Sequence, residues 1–154
     1  AIAASVPMTP DLTKLRRLLE IADDRTLKTY LGYLESAGLI MLLSKRGGGL
    51  KPMEKPHKIY LGDVNQAFAL APSGRADIGN ARETFFARSV SNVLPLHVAT
   101  KGDFATDDGM VFEVGGRSKT ARQIQGQERA FLALDDIETG IDARIPLWLF
   151  GFLY

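Results

Sequence analysis

Two helix-length segments near the start of the chain most constrain its fold. In DLTKLRRLLEI and in the longer DDRTLKTYLGYLESAGLI, apolar residues recur at the three- and four-residue spacing that marks one face of a helix. The apolar residues of the two faces are Leu12, Leu15, Leu18, Leu19, Leu27, Tyr30, Leu31, Leu34 and Ala37. Asp23 or Asp24 is suited to cap the second helix, and Gly38 is suited to end it. This pattern predicts a helix-turn-helix.

The residues after Gly38 predict a β-hairpin. LIMLLSKR and HKIYLGD each resemble a strand, and the glycines between them supply a flexible tip. We therefore predict a winged helix-turn-helix domain over residues 1–71. The GGG run is not a phosphate-binding loop, because it lacks the GxxxxGK[ST] spacing and no helix follows it.

A winged helix can bind DNA or serve as a protein–protein joint, and the sequence leaves both open. If it binds DNA, base edges would be met by the start of the second helix and phosphates by the wing. The residues expected to do so are Arg25, Thr26, Lys28 and Thr29 on the helix, and Lys45 and Arg46 on the wing. Two observations oppose DNA binding: Asp23 and Asp24 would repel phosphate, and the net charge is only +1.

The second half of the chain predicts a small α/β domain over residues 72–154, beginning in the loop APSGRADIGN. ARETFFARSVSNVL reads as a helix, LHVATK as a strand, and DFAT with MVFEV as a hairpin turning at Asp108-Gly109. SKTARQIQGQ is expected to be helical. RAFLALDD and IPLWLFGF are expected to be strands, the last one central because it is apolar on both faces. The overall class is α/β (α+β) with a small mixed sheet.

Three carboxylates lie where a metal site could form. Glu83 falls early on the predicted helix, while Asp103 and Glu113 fall on the paired strands of the hairpin. Asp103 and Glu113 together are suited to Mg²⁺, which prefers oxygen ligands. Hydrolysis of a phosphodiester by such a site also needs a lysine two residues after the second carboxylate, where it would share that residue's face.

That position is Gly115, so the sequence predicts an incomplete site. Arg117 and Lys119 are near in sequence, but they follow two glycines and need not point inward. Catalysis then requires a lysine or arginine that has migrated into the site.

The ordered segments KIYLGD, GNARETFF, KGDF, FEVGG and IPLWLFGFLY make the chain resemble the C-terminal half of a group of bacterial AAA-type ATPases. The resemblance implies a winged helix followed by a domain of unknown function related to the PD-(D/E)xK, or restriction-endonuclease-like, nuclease fold. It implies that Asp103 matches the first active-site aspartate, Glu113 the ExK glutamate and Glu83 a helix glutamate. ATP binding would belong to an ATPase domain outside this sequence, and the chain is expected to be the C-terminal piece of a longer protein.

From the missing lysine we expect a non-catalytic module that recognises duplex DNA or a protein for its ATPase, without a cofactor of its own. The alternatives are a Mg²⁺-dependent nuclease that uses Lys119 or Arg117, and a structural domain that forms oligomers. Cysteine is absent, which excludes disulfides and thiolate zinc sites. No apolar run could cross a bilayer, so no membrane partner is expected, and we expect a cytoplasmic location.

Overall fold

The computed structural model describes residues 6–47, 55–70 and 76–153. Its first part contains helices α1 (Leu12–Leu18) and α2 (Asp24–Ser36), strands β1 (Ile40–Leu43) and β2 (Lys58–Leu61), and helix α3 (Val64–Ala69). Its second part contains helix α4 (Ile78–Ser91) and strands β3 (Leu96–Val98), β4 (Phe104–Thr106), β5 (Val111–Gly115), β6 (Ala130–Leu134) and β7 (Arg144–Pro146). Short 3-10 helices span Ala121–Ile124 and Leu147–Phe152. None of the described helices is long and apolar enough to cross a membrane.

The first part has the predicted helices and hairpin. Asp23 caps α2 by accepting from the Thr26 backbone N–H, and Gly38 ends the helix at a φ of 71°. Strands β1 and β2 pair antiparallel. The middle of the GGG run and its continuation, residues 48–54, lie outside the described residues.

Two elements of this first part differ from the prediction. Leu18 and Leu19 are 64% and 38% exposed, because α1 ends at Leu18 and the chain turns through Glu20 at a positive φ of 55°. Helix α3 was not predicted, although Asp63 gives it an N-cap by accepting from the Asn65 backbone N–H.

The second part is built on a five-stranded mixed sheet in the order β3-β4-β5-β6-β7. The β3-β4 and β4-β5 pairs are antiparallel, and the β5-β6 and β6-β7 pairs are parallel. The predicted turn is present, with Gly109 at a φ of 87°. Helix α4 begins earlier than predicted, at Ile78, because the Asp77 side chain caps it by accepting from the Asn80 backbone N–H. Gly79 is therefore helical and not part of the boundary loop.

Two predictions about the second part were wrong. SKTARQIQGQ lies in the crossover from β5 to its parallel neighbour β6, and within it only Ala121–Ile124 is helical, as a short 3-10 helix. IPLWLFGF is not a central strand: β7 is a short edge strand ending at Pro146, and the rest is a 3-10 helix. Within that helix Leu147 and Phe150 are buried, whereas Trp148 is 51% exposed.

The main core joins the two parts of the chain. Leu43 of β1 and Tyr60 of β2 belong to the same buried cluster as Phe86 of α4 and Phe104 of β4. The Tyr60 and Phe104 ring centroids are 5.5 Å apart. The hairpin of the first part therefore packs against the sheet of the second part. The predicted boundary between residues 71 and 72 itself lies outside the described residues.

Candidate active site

The β4-β5 hairpin brings Asp103 and Glu113 to neighbouring strands. Asp103 directly precedes β4, and its backbone N–H donates to the Phe112 carbonyl at 2.9 Å. Its carboxylate accepts from the Val114 backbone N–H at 2.9 Å, which fixes that carboxylate against β5. Glu113, in the middle of β5, has a side chain that is 0% exposed. A fully buried carboxylate needs a partner that compensates its charge.

Lys119 is that partner. Its Nζ lies 2.6 Å from Glu113 Oε1, and the side chain remains 32% exposed. The Lys119 backbone N–H donates to the Gly116 carbonyl at 2.9 Å, which closes the turn that carries the lysine back over the strand. The sequence left open whether Lys119 or Arg117 points into the site, and the structure places the Lys119 ammonium beside Glu113. Arg117, the other candidate, is exposed.

Gly115 is the reason that Lys119 fits there. A Cβ at position 115 would lie 2.8 Å from both Cβ and Cγ of Lys119, well inside ordinary contact distance. The stem of Lys119 thus runs through the space that a side chain at position 115 would fill. The position that appears to lack a lysine in the sequence is covered by a lysine from four residues further on.

Gly116 accommodates a second basic side chain. A Cβ there would lie 3.1 Å from the Arg82 guanidinium, which passes over the glycine to Asp135 and Asp136. Its Nε donates to Asp135 at 2.9 Å. This contact connects α4 to the end of β6 and holds the turn after β5 between them.

Glu83 of α4 faces the same site from the other side. Its Oε2 lies 3.2 Å from Lys58 Nζ and accepts from the Tyr60 hydroxyl at 3.0 Å. Both partners come from β2. The charge of Glu83 acts on Asp103 and on Lys119, so the three acidic residues and Lys119 form one electrostatic cluster.

The cluster changes the titration of its members. Burial, followed by the negative charge of Glu83, raises the pKa of Asp103 to about 6, with a smaller contribution from Glu113. Burial lowers the pKa of Lys119, but the Glu113, Asp103 and Glu83 carboxylates outweigh it and raise that pKa above its ordinary value. Burial and the charge of Glu83 raise the pKa of Tyr60, so its hydroxyl stays a donor. Lys119 therefore remains a cation near neutral pH. Asp103, with a pKa of about 6, changes its protonation state just below neutral pH.

The carboxylates of Asp103 and Glu113 are suited to hold a magnesium ion as its two protein ligands. The Lys119 ammonium pairs with Glu113 Oε1. The other buried oxygen, Oε2, has no hydrogen-bond partner among the described residues. The described residues contain no group of three or more metal-ligating side chains suited to an ion. Mg²⁺ commonly binds through one or two carboxylates and keeps its remaining waters, so Asp103 and Glu113 are sufficient in number.

The residues predicted to contact DNA are placed on α2 and on the hairpin, and several are already engaged. The Thr26 hydroxyl donates to Asp23 at 2.9 Å, and the Thr29 hydroxyl donates to the Arg25 carbonyl at 3.0 Å. Arg25 is exposed, whereas Lys28 is half-buried. On the hairpin Lys45 is exposed, and the Arg46 guanidinium donates to the Asp107 carbonyl. Arg25 and Lys45 are thus exposed basic members of the predicted set.

Sequence reasoning missed Lys58 and Tyr60. The alternation in the KIY stretch did carry a signal, since residues two apart on a strand share a face. The sequence pattern could not show that Glu83 is the partner of Lys58 and Tyr60, because Glu83 lies on α4, more than 20 residues further along the chain.

Comparisons of the chain with protein families, with curated proteins and with solved structures found no match.

Proposed function

We propose that the protein is a Mg²⁺-dependent phosphodiester hydrolase that acts on nucleic acid, with Asp103, Glu113, Lys119 and Glu83 at its active site. The observation that carries this proposal is the position of Lys119, whose ammonium lies 2.6 Å from the buried Glu113 carboxylate. An ammonium beside paired carboxylates is the element that the sequence seemed to lack. The resemblance to nuclease-like domains of bacterial AAA-type ATPases agrees with the proposal.

Each residue has a distinct chemical task. Asp103 and Glu113 would hold the ion through the Asp103 carboxylate and the unpartnered Glu113 Oε2. The ion, when bound, polarises a phosphate oxygen and lowers the pKa of a coordinated water. Lys119 stays protonated, so it acts by orienting the attacking water and by offsetting the negative charge that develops on the phosphate. Glu83, whose charge acts on Asp103, would accept a proton or orient water beside that residue.

The test is cleavage of supercoiled plasmid and of labelled duplex and single-stranded oligonucleotides in Mg²⁺, Mn²⁺ or EDTA. We expect metal-dependent cleavage by the native chain, none by Asp103→Asn, and a loss of about 10²-fold for Lys119→Met. Lys14→Met is the matched control, because Lys14 is an exposed lysine on α1. The double variant Gly115→Lys with Lys119→Gly moves the amine to position 115 and removes the Lys119 Cβ that the new side chain would meet at 2.8 Å, and we expect it to recover activity relative to Lys119→Met.

Two results would contradict the proposal. One is the absence of both cleavage and Mn²⁺ binding by the native chain. The other is cleavage that survives in Asp103→Asn, which would identify a contaminating nuclease.

A second candidate function is non-catalytic recognition of duplex DNA or of a protein, on behalf of a cytoplasmic ATPase whose nucleotide site lies outside this sequence. The observation that favours it is the same ion pair, because Lys119 balances the charge of Glu113 without a metal. In this function the winged helix would provide the contact through Arg25 and Lys45, and Glu113 would be structural. Duplex binding that weakens with salt, together with no metal binding, would favour this candidate.

A further inference from the structure

Two side chains of β2 enter the site from the N-terminal part of the chain. Lys58 and Tyr60 both contact the same oxygen of Glu83, at 3.2 and 3.0 Å. Tyr60 is 0% exposed, and Lys58 and Glu83 are 25% and 22% exposed as side chains. Lys58 Nζ also lies 5.6 Å from the centroid of the Tyr60 ring, so the three groups form a compact unit.

We propose that Tyr60 and Lys58 are positioning residues for Glu83, which makes the β1-β2 hairpin a working part of the active site. By fixing Oε2, the two donors leave Oε1 as the Glu83 oxygen that serves Asp103, Lys119 and their ligand. Of the two Glu83 oxygens, Oε2 is the one that both donors contact. This inference rests on the proposed function, and it assigns Lys58 and Tyr60 a role that neither the sequence pattern nor the nuclease resemblance provides.

The Lys58 and Tyr60 contacts are better suited to orienting the Glu83 carboxylate than to stabilising the core. The Tyr60 ring is already packed against Phe104, so the core needs the ring but not the hydroxyl. Two donors on one carboxylate oxygen restrict the rotamer of the Glu83 side chain. Lys58 also compensates Glu83, so that a third carboxylate can lie near Asp103 and Glu113 at a lower electrostatic cost.

Tyr60→Phe is the informative variant, because it removes the hydroxyl and keeps the ring. Lys58→Met removes the second donor to Glu83. Lys58→Arg keeps a cationic donor at this position and is expected to retain the activity that Lys58→Met loses. We expect Tyr60→Phe and Lys58→Met each to lower kcat about 10- to 100-fold, the usual loss for an outer-shell partner, with KM within about twofold. In a Glu83→Gln background Tyr60→Phe is expected to cause no further loss, because its effect passes through Glu83.

The measurements are kcat and KM for oligonucleotide cleavage, Mn²⁺ binding by calorimetry, and the unfolding midpoint as a check that each variant folds. If Tyr60→Phe and Lys58→Met keep native kcat while Asp103→Asn is inactive, the inference is overturned and the proposed function stands. If their losses add fully to that of Glu83→Gln, the positioning role is likewise overturned. If the native chain neither cleaves nor binds Mn²⁺, the proposed function and the inference both fall.

Discussion

Replacing Lys119 with methionine tests the central contact of the structure. Methionine keeps an apolar stem over Gly115 and removes the ammonium, which leaves the 0% exposed carboxylate of Glu113 without its partner. Removing one member of a buried ion pair costs about 3 to 5 kcal/mol, because the remaining charge is uncompensated. Lys119 is itself 32% exposed, so we expect the lower end of that range, about 3 kcal/mol.

The assay is urea unfolding followed by circular dichroism at neutral pH, for Lys119→Met, Glu113→Gln and the double variant. A loss of about 3 kcal/mol leaves a domain of ordinary stability folded, so the transition should remain measurable. Lys14→Met, an exposed lysine on α1, should change the free energy of unfolding by less than about 0.5 kcal/mol.

The double variant separates the lost charge pair from lost packing. Glutamine at position 113 removes the uncompensated charge, so Glu113→Gln with Lys119→Met should be more stable than Lys119→Met alone. The reasoning is refuted if Lys119→Met costs less than about 1 kcal/mol, or if glutamine at position 113 recovers nothing.

Three further predictions follow from the geometry. Folding raises the pKa of Asp103 from 3.8 to about 6, so ionised Asp103 destabilises the folded chain. Asp103→Asn should therefore stabilise the protein by up to about 3 kcal/mol at pH 8 and by little at pH 4. Equal effects at the two pH values in urea unfolding would contradict this. Gly115→Ala should displace Lys119 and cost about 1 to 3 kcal/mol in thermal unfolding, whereas the control Gly32→Ala on α2, with nothing within 4 Å of its new Cβ, should be neutral or stabilising. If the N-terminal helices and hairpin bind duplex DNA, Arg25→Ala should weaken binding and reduce its salt dependence in fluorescence anisotropy, and an unchanged salt slope would exclude Arg25 from the interface.

Local signals were sufficient to predict most of the helices and strands. The cap at Asp23, the stop at Gly38 and the turn at Gly109 each act within a few residues, so the sequence displays them. The C-terminal strand was mispredicted because a short apolar run does not distinguish a strand from a 3-10 helix. Position in the sheet is a tertiary property, and β7 is at the edge.

The carboxylates could be predicted from the sequence, whereas for their cation it offered Lys119 and Arg117 as alternatives without deciding between them. Asp103 and Glu113 lie on a hairpin whose pairing is local, so their proximity follows from the sequence pattern. Lys119 arrives through a turn containing two glycines, and its direction depends on space that is empty only because position 115 has no side chain. The Lys58 and Tyr60 contacts with Glu83 join elements distant in sequence.

The shared core has a consequence for how this protein can be divided. Tyr60 fills a fully enclosed position against Phe104, directly after Asp103 in the chain. A fragment starting after the N-terminal helices and hairpin would have a cavity beside the acidic residues and would lack the Tyr60 hydroxyl, which donates to Glu83. Tests of the proposed activity therefore need the β1-β2 hairpin together with the sheet, because Tyr60 covers that part of the core.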